Sequence, residues 1–167
     1  MSATTVYLDH KVITLPIDKP VILARVRASA LAKGFEEKQE FHVTLIPSKY
    51  GAKLDDSQFQ ICASMLEDVS ADDIVEAGKV FYLQNPKVVD GIAYPRESLI
   101  EPITSSQLTA LLAEVAVAMG VPIEPYFHVT LFTKGDNKYA RTGIGIENPQ
   151  EFHEIMVEEF QASLPPL

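Results

Sequence analysis

Cysteine is almost missing from this chain: Cys62 is the only one in 167 residues. That excludes an internal disulfide, a cysteine zinc knuckle and a dithiol redox pair. Cys62 lies in a stretch with helical spacing and reads as a small packed apolar residue rather than a reactive thiol. Basic residues are also scarce. Fourteen Lys and Arg stand against 23 Asp and Glu, a formal net charge of −9, so a broad cationic face for long RNA or DNA is not expected. A small nucleotide in a locally positive pocket stays compatible with that balance. No apolar run reaches membrane-spanning length, and the start, Met1-Ser2-Ala3-Thr4-Thr5, has neither a basic nor an apolar leader stretch. The expectation is a cytoplasmic, reducing setting, no membrane partner and a monomer.

A low-complexity linker is absent as well. With 47% apolar and 22% charged residues, residues 1–167 read as one globular domain whose core needs neither disulfide nor metal for stability. Runs rich in β-branched residues predict strands over Val6–Leu15 and Val21–Ala28, the first interrupted at Pro16 and the second preceded by Pro20. A short helix over Ala30–Lys38 precedes a strand at Glu40–Pro47. Apolar residues at helical spacing, with acids at the start, predict a helix over Asp55–Val69, and Asp72–Gly78 reads as a further helical piece. Lys79–Gln84, Lys87–Ala93 and Glu97–Ile103 are expected strands, broken by Asn85-Pro86, Asp90-Gly91 and Tyr94-Pro95. Thr104 and Gln107 stand at capping-box spacing before the Ala- and Leu-rich run Gln107–Met119, and Gly120 with Pro122 stops it. A strand at Tyr126–Thr133, a polar loop at Lys134–Thr142, a strand from Gly143, a turn at Asn148-Pro149 and a last strand or helix complete the reading. The pattern predicts an α+β fold with largely antiparallel sheets.

The most informative feature is a repeat. Phe41-His42-Val43-Thr44-Leu45 and Phe127-His128-Val129-Thr130-Leu131 are identical pentapeptides. With on the order of ten thousand position pairs and roughly a one-in-a-million chance of five-letter identity per pair, coincidence is near the per-cent level, and duplication is the better account. Side chains alternate along a strand, so His42 and Thr44 share one face while Phe41, Val43 and Leu45 take the other; His128 and Thr130 stand in the same relation. Each His and its Thr are then about 7 Å apart, within reach of one phosphate. A single such histidine is more often a packed or surface residue than a catalyst. Two copies, each on its own strand, favour a shared site.

In these two motifs the chain resembles the 2H phosphoesterases, which carry paired His-x-Thr/Ser-x motifs with hydrophobic residues at x. His42-Val43-Thr44-Leu45 and His128-Val129-Thr130-Leu131 match it, and both the 86-residue separation of the histidines and the chain length suit it. The resemblance implies a bilobed α+β fold, two pseudo-symmetric antiparallel-sheet lobes with flanking helices, and the motifs facing each other across a central cleft. Relatives of this kind include 2′,3′-cyclic phosphodiesterases described as 2′-5′ RNA ligases, plant-type cyclic nucleotide phosphodiesterases, 2′-5′ oligoadenylate phosphodiesterases and phage enzymes that open cyclic oligonucleotides.

Histidines titrate near pH 6.5, so a pair can hold one neutral and one protonated ring. His42 and His128 are thus the expected acid and base, their order open, and Thr44 and Thr130 the donors to the non-bridging oxygens. His10 and His153 lie outside the motifs and no carboxylate stands at ligand spacing beside either motif histidine, so no metal and no cofactor is expected. Lys49, Lys134 and Arg141 are candidates for adding positive charge, and Tyr50, Tyr126 and Tyr139 for stacking on a base, although each also reads as an ordinary surface or packing residue. The expected activity is hydrolysis of a 2′,3′-cyclic phosphate or a related small nucleotide diester. The alternatives are a non-catalytic nucleotide-binding module and an RNA 2′-5′ end-joining or cleaving enzyme.

Overall fold

The computed structural model describes residues 4–161. The chain opens with two antiparallel strands, β1 (Thr5–Tyr7) and β2 (Val12–Ile17). The next segment corrects an expectation. Val21–Ala28 is not a strand but the start of helix α1 (Leu23–Ala32). Leu23, Val26 and Ala30 fall on one helical stripe that is buried while Val21 stays exposed. Pro20 opens this helix by accepting from the Leu23 amide at 3.2 Å.

Strand β3 (Glu36–Glu37) leads into β4 (Phe41–Ile46), which carries the first motif, and then a single turn, α2 (Ser48–Gly51). Helix α3 (Asp56–Met65) follows, with a complete Asp55/Gln58 capping box. Cys62 is fully buried in it, and burial pushes its thiol pKa up, in keeping with a packing role. The expected helical piece at Asp72–Gly78 is instead strand β5 (Val75–Glu76), paired to Thr104 and Ile103. Asp73 helps draw it there: its carboxylate accepts from the Ser105 hydroxyl at 2.6 Å and the Gln107 amide at 3.0 Å.

Strands β6 (Val80–Gln84), β7 (Lys87–Val89), β8 (Ile92–Tyr94) and β9 (Glu97–Thr104) come next. β7 and β8 form a hairpin turned by Asp90-Gly91, both at positive φ (51° and 78°), as that dipeptide favours. Helix α4 (Ser106–Met119) begins one residue later than expected: Ser105, not Thr104, is its cap, accepting from the Leu108 amide at 3.1 Å. Thr104 is the last residue of β9, still paired to Val75. Strand β10 (His128–Lys134) carries the second motif. The expected strand from Gly143 is irregular backbone, and Asn148-Pro149 is the capped start of helix α5 (Pro149–Ile155), after which β11 (Met156–Phe160) pairs with β6.

The result is a mixed α+β structure whose main sheet is antiparallel and runs β1-β2-β4-β10-β9-β6-β11, with β3 also on β10 and β5 on β9. The two motif strands are neighbours at its middle. One face of the sheet, including Val43, Leu45, Val129 and Leu131, packs against Leu23 and Val26 of α1, Phe59 of α3 and Leu108 and Leu112 of α4. Each of these fully buried aliphatic side chains contributes about 1.5–3 kcal/mol, which anchors both motif strands from below. A smaller cluster of Leu83, Ile100, Ile144, Ile146 and Phe152 covers part of the opposite face.

Candidate active site

Val43 and Val129 are paired across the antiparallel β4–β10 seam. Counting one residue either way places His42 opposite Thr130 and Thr44 opposite His128, around a local twofold between the valines. The valines point into the helix-covered core, so all four polar side chains leave the other face. The observed burial follows this alternation: Phe41, Val43 and Leu45 are buried, whereas His42 and Thr44 are half-buried. The two histidines occupy a diagonal of the square, for which β-sheet geometry gives a backbone separation of about 7–8 Å. They also interact electrostatically, the His42 ring disfavouring the imidazolium of His128.

The two rings differ in their surroundings. His42 lines a 590 Å³ cavity with Tyr7, Lys38, Gln39, Glu40 and Arg141. Its pKa is lowered, first by burial and then by Lys38, with Glu40 pulling the other way. His128 is only 8% exposed, and burial lowers its pKa against the opposing pull of the Tyr126 and Ile144 backbones. Its Nδ1 lies 3.2 Å from the Tyr126 carbonyl oxygen. A carbonyl can only accept, so Nδ1 carries the hydrogen in this contact, and the Ile144 backbone is a second group that favours the charged ring. The irregular segment after β10 closes over this half. A Cβ at Gly143 would stand 3.2 Å from Thr130 Oγ1, so glycine lets the backbone come this close to the threonine hydroxyl.

The other candidate residues are scattered more widely. Arg141 reaches the His42 cavity, and its guanidinium pairs with Glu36 at 3.2 Å. Lys49 lines a second cavity, which contains Thr44, and is held by Glu151 at 2.6 Å. Tyr50 is buried, with its hydroxyl donating to the Val121 carbonyl at 2.7 Å, so its ring is a core element away from the motif face. Tyr126 stacks on Phe152 with centroids 4.5 Å apart and packs beside His128; burial pushes its hydroxyl up to about 12. Lys134 lies over the Phe35 ring at 5.4 Å, and Tyr139 packs edge-on against Tyr94. Among the described residues, neither lines the cavities that contain His42 or Thr44 described above.

Sequence reasoning missed Tyr7, Lys38, Gln39 and Glu40 around His42, and Asn85, Lys87 and Arg96 around Thr44. Tyr7 comes from the end of β1, and Lys38, Gln39 and Glu40 come from an irregularity between β3 and β4. Glu37 pairs with Phe132 and Val43 with Val129, so the chain between them has three more residues than its partner and bulges out beside His42. The second group sits where β6 and β9 run into the hairpin, a place the sequence marked only as a break at Asn85-Pro86. Among the described residues, no cluster of three or more His, Cys, Asp or Glu side chains is arranged to hold a metal ion, and no helix is long and apolar enough to cross a membrane. Compared with protein-family models, with curated proteins and with solved structures, the chain finds no match.

Proposed function

We propose that the chain is a phosphodiesterase that hydrolyses a 2′,3′-cyclic phosphate or a related small nucleotide diester without a metal. The observation that carries this reading is the Val43–Val129 pairing, which gathers two His-Thr pairs on one sheet face about a local twofold. In this reading the β4 and β10 halves of the sheet act as two lobes, the seam between them is the cleft, and phosphorus sits above the valines. One imidazole takes a proton from water as its oxygen bonds to phosphorus. The other gives a proton to the ribose oxygen as its bond to phosphorus breaks, leaving a phosphomonoester and a free hydroxyl. Thr44 and Thr130 donate to the non-bridging oxygens as charge accumulates there. Both rings are biased toward neutrality in the free protein, and an anionic phosphate between them favours charging one of them.

A screen of 2′,3′-cyclic mononucleotides, ADP-ribose 1″,2″-cyclic phosphate, 2′-5′ dinucleotides and cyclic dinucleotides tests the proposal. His42→Ala and His128→Ala should each lower kcat by on the order of a hundredfold or more while the fold survives. EDTA should leave the rate unchanged; loss of activity in EDTA with recovery on zinc or manganese contradicts the metal-free step. A nucleotide-binding module without turnover is the second reading, favoured by the near-complete burial of His128. Tight nucleotide binding with every substrate recovered intact would select it.

A further inference from the structure

The cavity beside Thr44 has a composition unlike the rest of the molecule. The chain has 14 basic residues against 23 acidic ones, yet Lys49, Lys87 and Arg96 all line this one 260 Å³ space together with Thr44, Gly143 and Asn85. Its one acid, Glu147, is engaged by Lys53 at 3.1 Å, and Lys49 is engaged by Glu151. Arg96 and Lys87 have no carboxylate within salt-bridge distance among the described residues.

Arg96 is also aimed. Ile100 pairs with Thr130, and Ser98 and Arg96 precede it at two-residue intervals, Arg96 just before β9 begins, so Arg96 leaves the sheet on the motif face. Its Nε donates to the Asn85 carbonyl at 3.0 Å, while the Asn85 amide donates to the Arg96 carbonyl at 3.2 Å. That pair fixes the guanidinium through one nitrogen and leaves its terminal nitrogens for another acceptor. A half-buried guanidinium without a carboxylate is costly, as its burial-lowered pKa reflects. Phosphate oxygens are acceptors that its planar fork fits bidentately.

We propose that Arg96 and Lys87 form an anion subsite that takes a second phosphate of the substrate, next to the one held by the His-Thr pairs. The inference rests on the phosphodiesterase reading and narrows its substrate class: the preferred substrate carries a further phosphate, either in a pyrophosphate or in a second diester. Gly143 lies against Thr130 and also lines the cavity, so the two subsites are continuous through the motif square.

Inorganic pyrophosphate is the direct probe, followed by titration calorimetry and by NMR of the Arg96 side-chain Nε–H. Binding to the full chain should move the Arg96 signal, and Arg96→Gln and Lys87→Gln should each raise the Kd by tenfold or more. Lys87 is exposed, so its variant reports on charge even if Arg96→Gln disturbs the hairpin. Kinetics then separate the sources. Adenosine 2′,3′-cyclic phosphate has one phosphate, ADP-ribose 1″,2″-cyclic phosphate adds a pyrophosphate, and 2′-5′ triadenylate adds a diester. The variants should lose at least tenfold more kcat/KM, through KM, on whichever multi-phosphate class is preferred than on the mononucleotide. Turnover of the cyclic mononucleotide with pyrophosphate binding absent, or unchanged in both variants, overturns the subsite and leaves the phosphodiesterase intact. Arg96-dependent pyrophosphate binding with no substrate cleaved supports the subsite and removes the catalytic reading.

Discussion

His42 and His128 have the same four neighbours in sequence, yet each ring meets its own dielectric surroundings. His42 opens on a cavity and feels Lys38 and Glu40, while His128 is covered by the chain near Ile144. Both are displaced below the ordinary value near 6.5, burial being the larger cause in each case. The proposed chemistry needs one ring charged and one neutral. In the free protein that state is most populated between two lowered pKa values, and therefore on the acid side of 6.5. The pH profile of kcat/KM, which reports the free enzyme, should thus be bell-shaped with its optimum below about 6.5. The profile of kcat should sit at higher pH, because a bound phosphate anion stabilises the imidazolium. Initial-rate measurements from pH 4.5 to 9 decide this, and a kcat/KM optimum above neutrality would contradict it. The same burial makes both rings a liability in acid. Their folded pKa values lie below the unfolded one, so the stability they allow is complete above about 6.5 and declines as pH falls through the folded values.

At the level of elements, the legible parts of the sequence were those governed by near neighbours. The alternation in Phe41–Leu45, the acidic start of α3, the Asp90-Gly91 turn and the Gly120 stop of α4 stand as the residues indicated. The misreadings came where a distant partner decided. Leu23–Ala28 is helical because Val26 and Ala30 meet the core as one stripe, and Val75–Glu76 is extended because β9 offers an edge. The start of α4 provides a test. Ser105 is buried, caps the helix and donates to Asp73, which links the helix to the incoming β5 segment. Hydrogen bonds from Ser105 and Gln107 hold the Asp73 carboxyl below the usual carboxylate range. Ser105→Ala should cost about 1–2 kcal/mol, and Thr104→Ala, at the position the capping-box spacing suggested, should cost less. Urea unfolding of the two variants compares them, and the reverse order would reject Ser105 as the cap.

For the molecule as a whole, the least comfortable group is Glu101. It is fully buried on β9 opposite Val129, accepts from the Gly78 amide at 3.0 Å through Oε2, and its Oε1 has no hydrogen-bond partner among the described residues. Burial, with Glu76 nearby, raises its pKa to about 7, against the pull of the Gly78 bond. The sign is opposite to that of the histidines. Because the folded pKa exceeds the unfolded one, the stability from Glu101 is complete below about 4.5 and is lost as pH rises through about 7. Beyond that point the folded state carries a penalty of up to roughly 3 kcal/mol. Glu101→Gln should therefore be about neutral or mildly destabilising near pH 4.5 and more stable than the parent at pH 8.5. Denaturant midpoints at the two pH values measure it, and an unchanged difference between them would show that Glu101 stays ionised in the fold.

The repeat, the face on which each His-Thr pair lies and the scarcity of positive charge were determined by sequence alone, since strand alternation and composition need no knowledge of distant contacts. The choice of partner strand was made by the tertiary structure. Pairing across 86 residues is a competition among all the edges a folded sheet can offer, and one residue of slip would have put His42 and His128 on opposite faces. The Val43–Val129 pairing won that competition. It brought the four polar groups together, left His128 covered and His42 open, and swung Arg96 toward Thr44 from a hairpin whose chain gave no hint of where it would land.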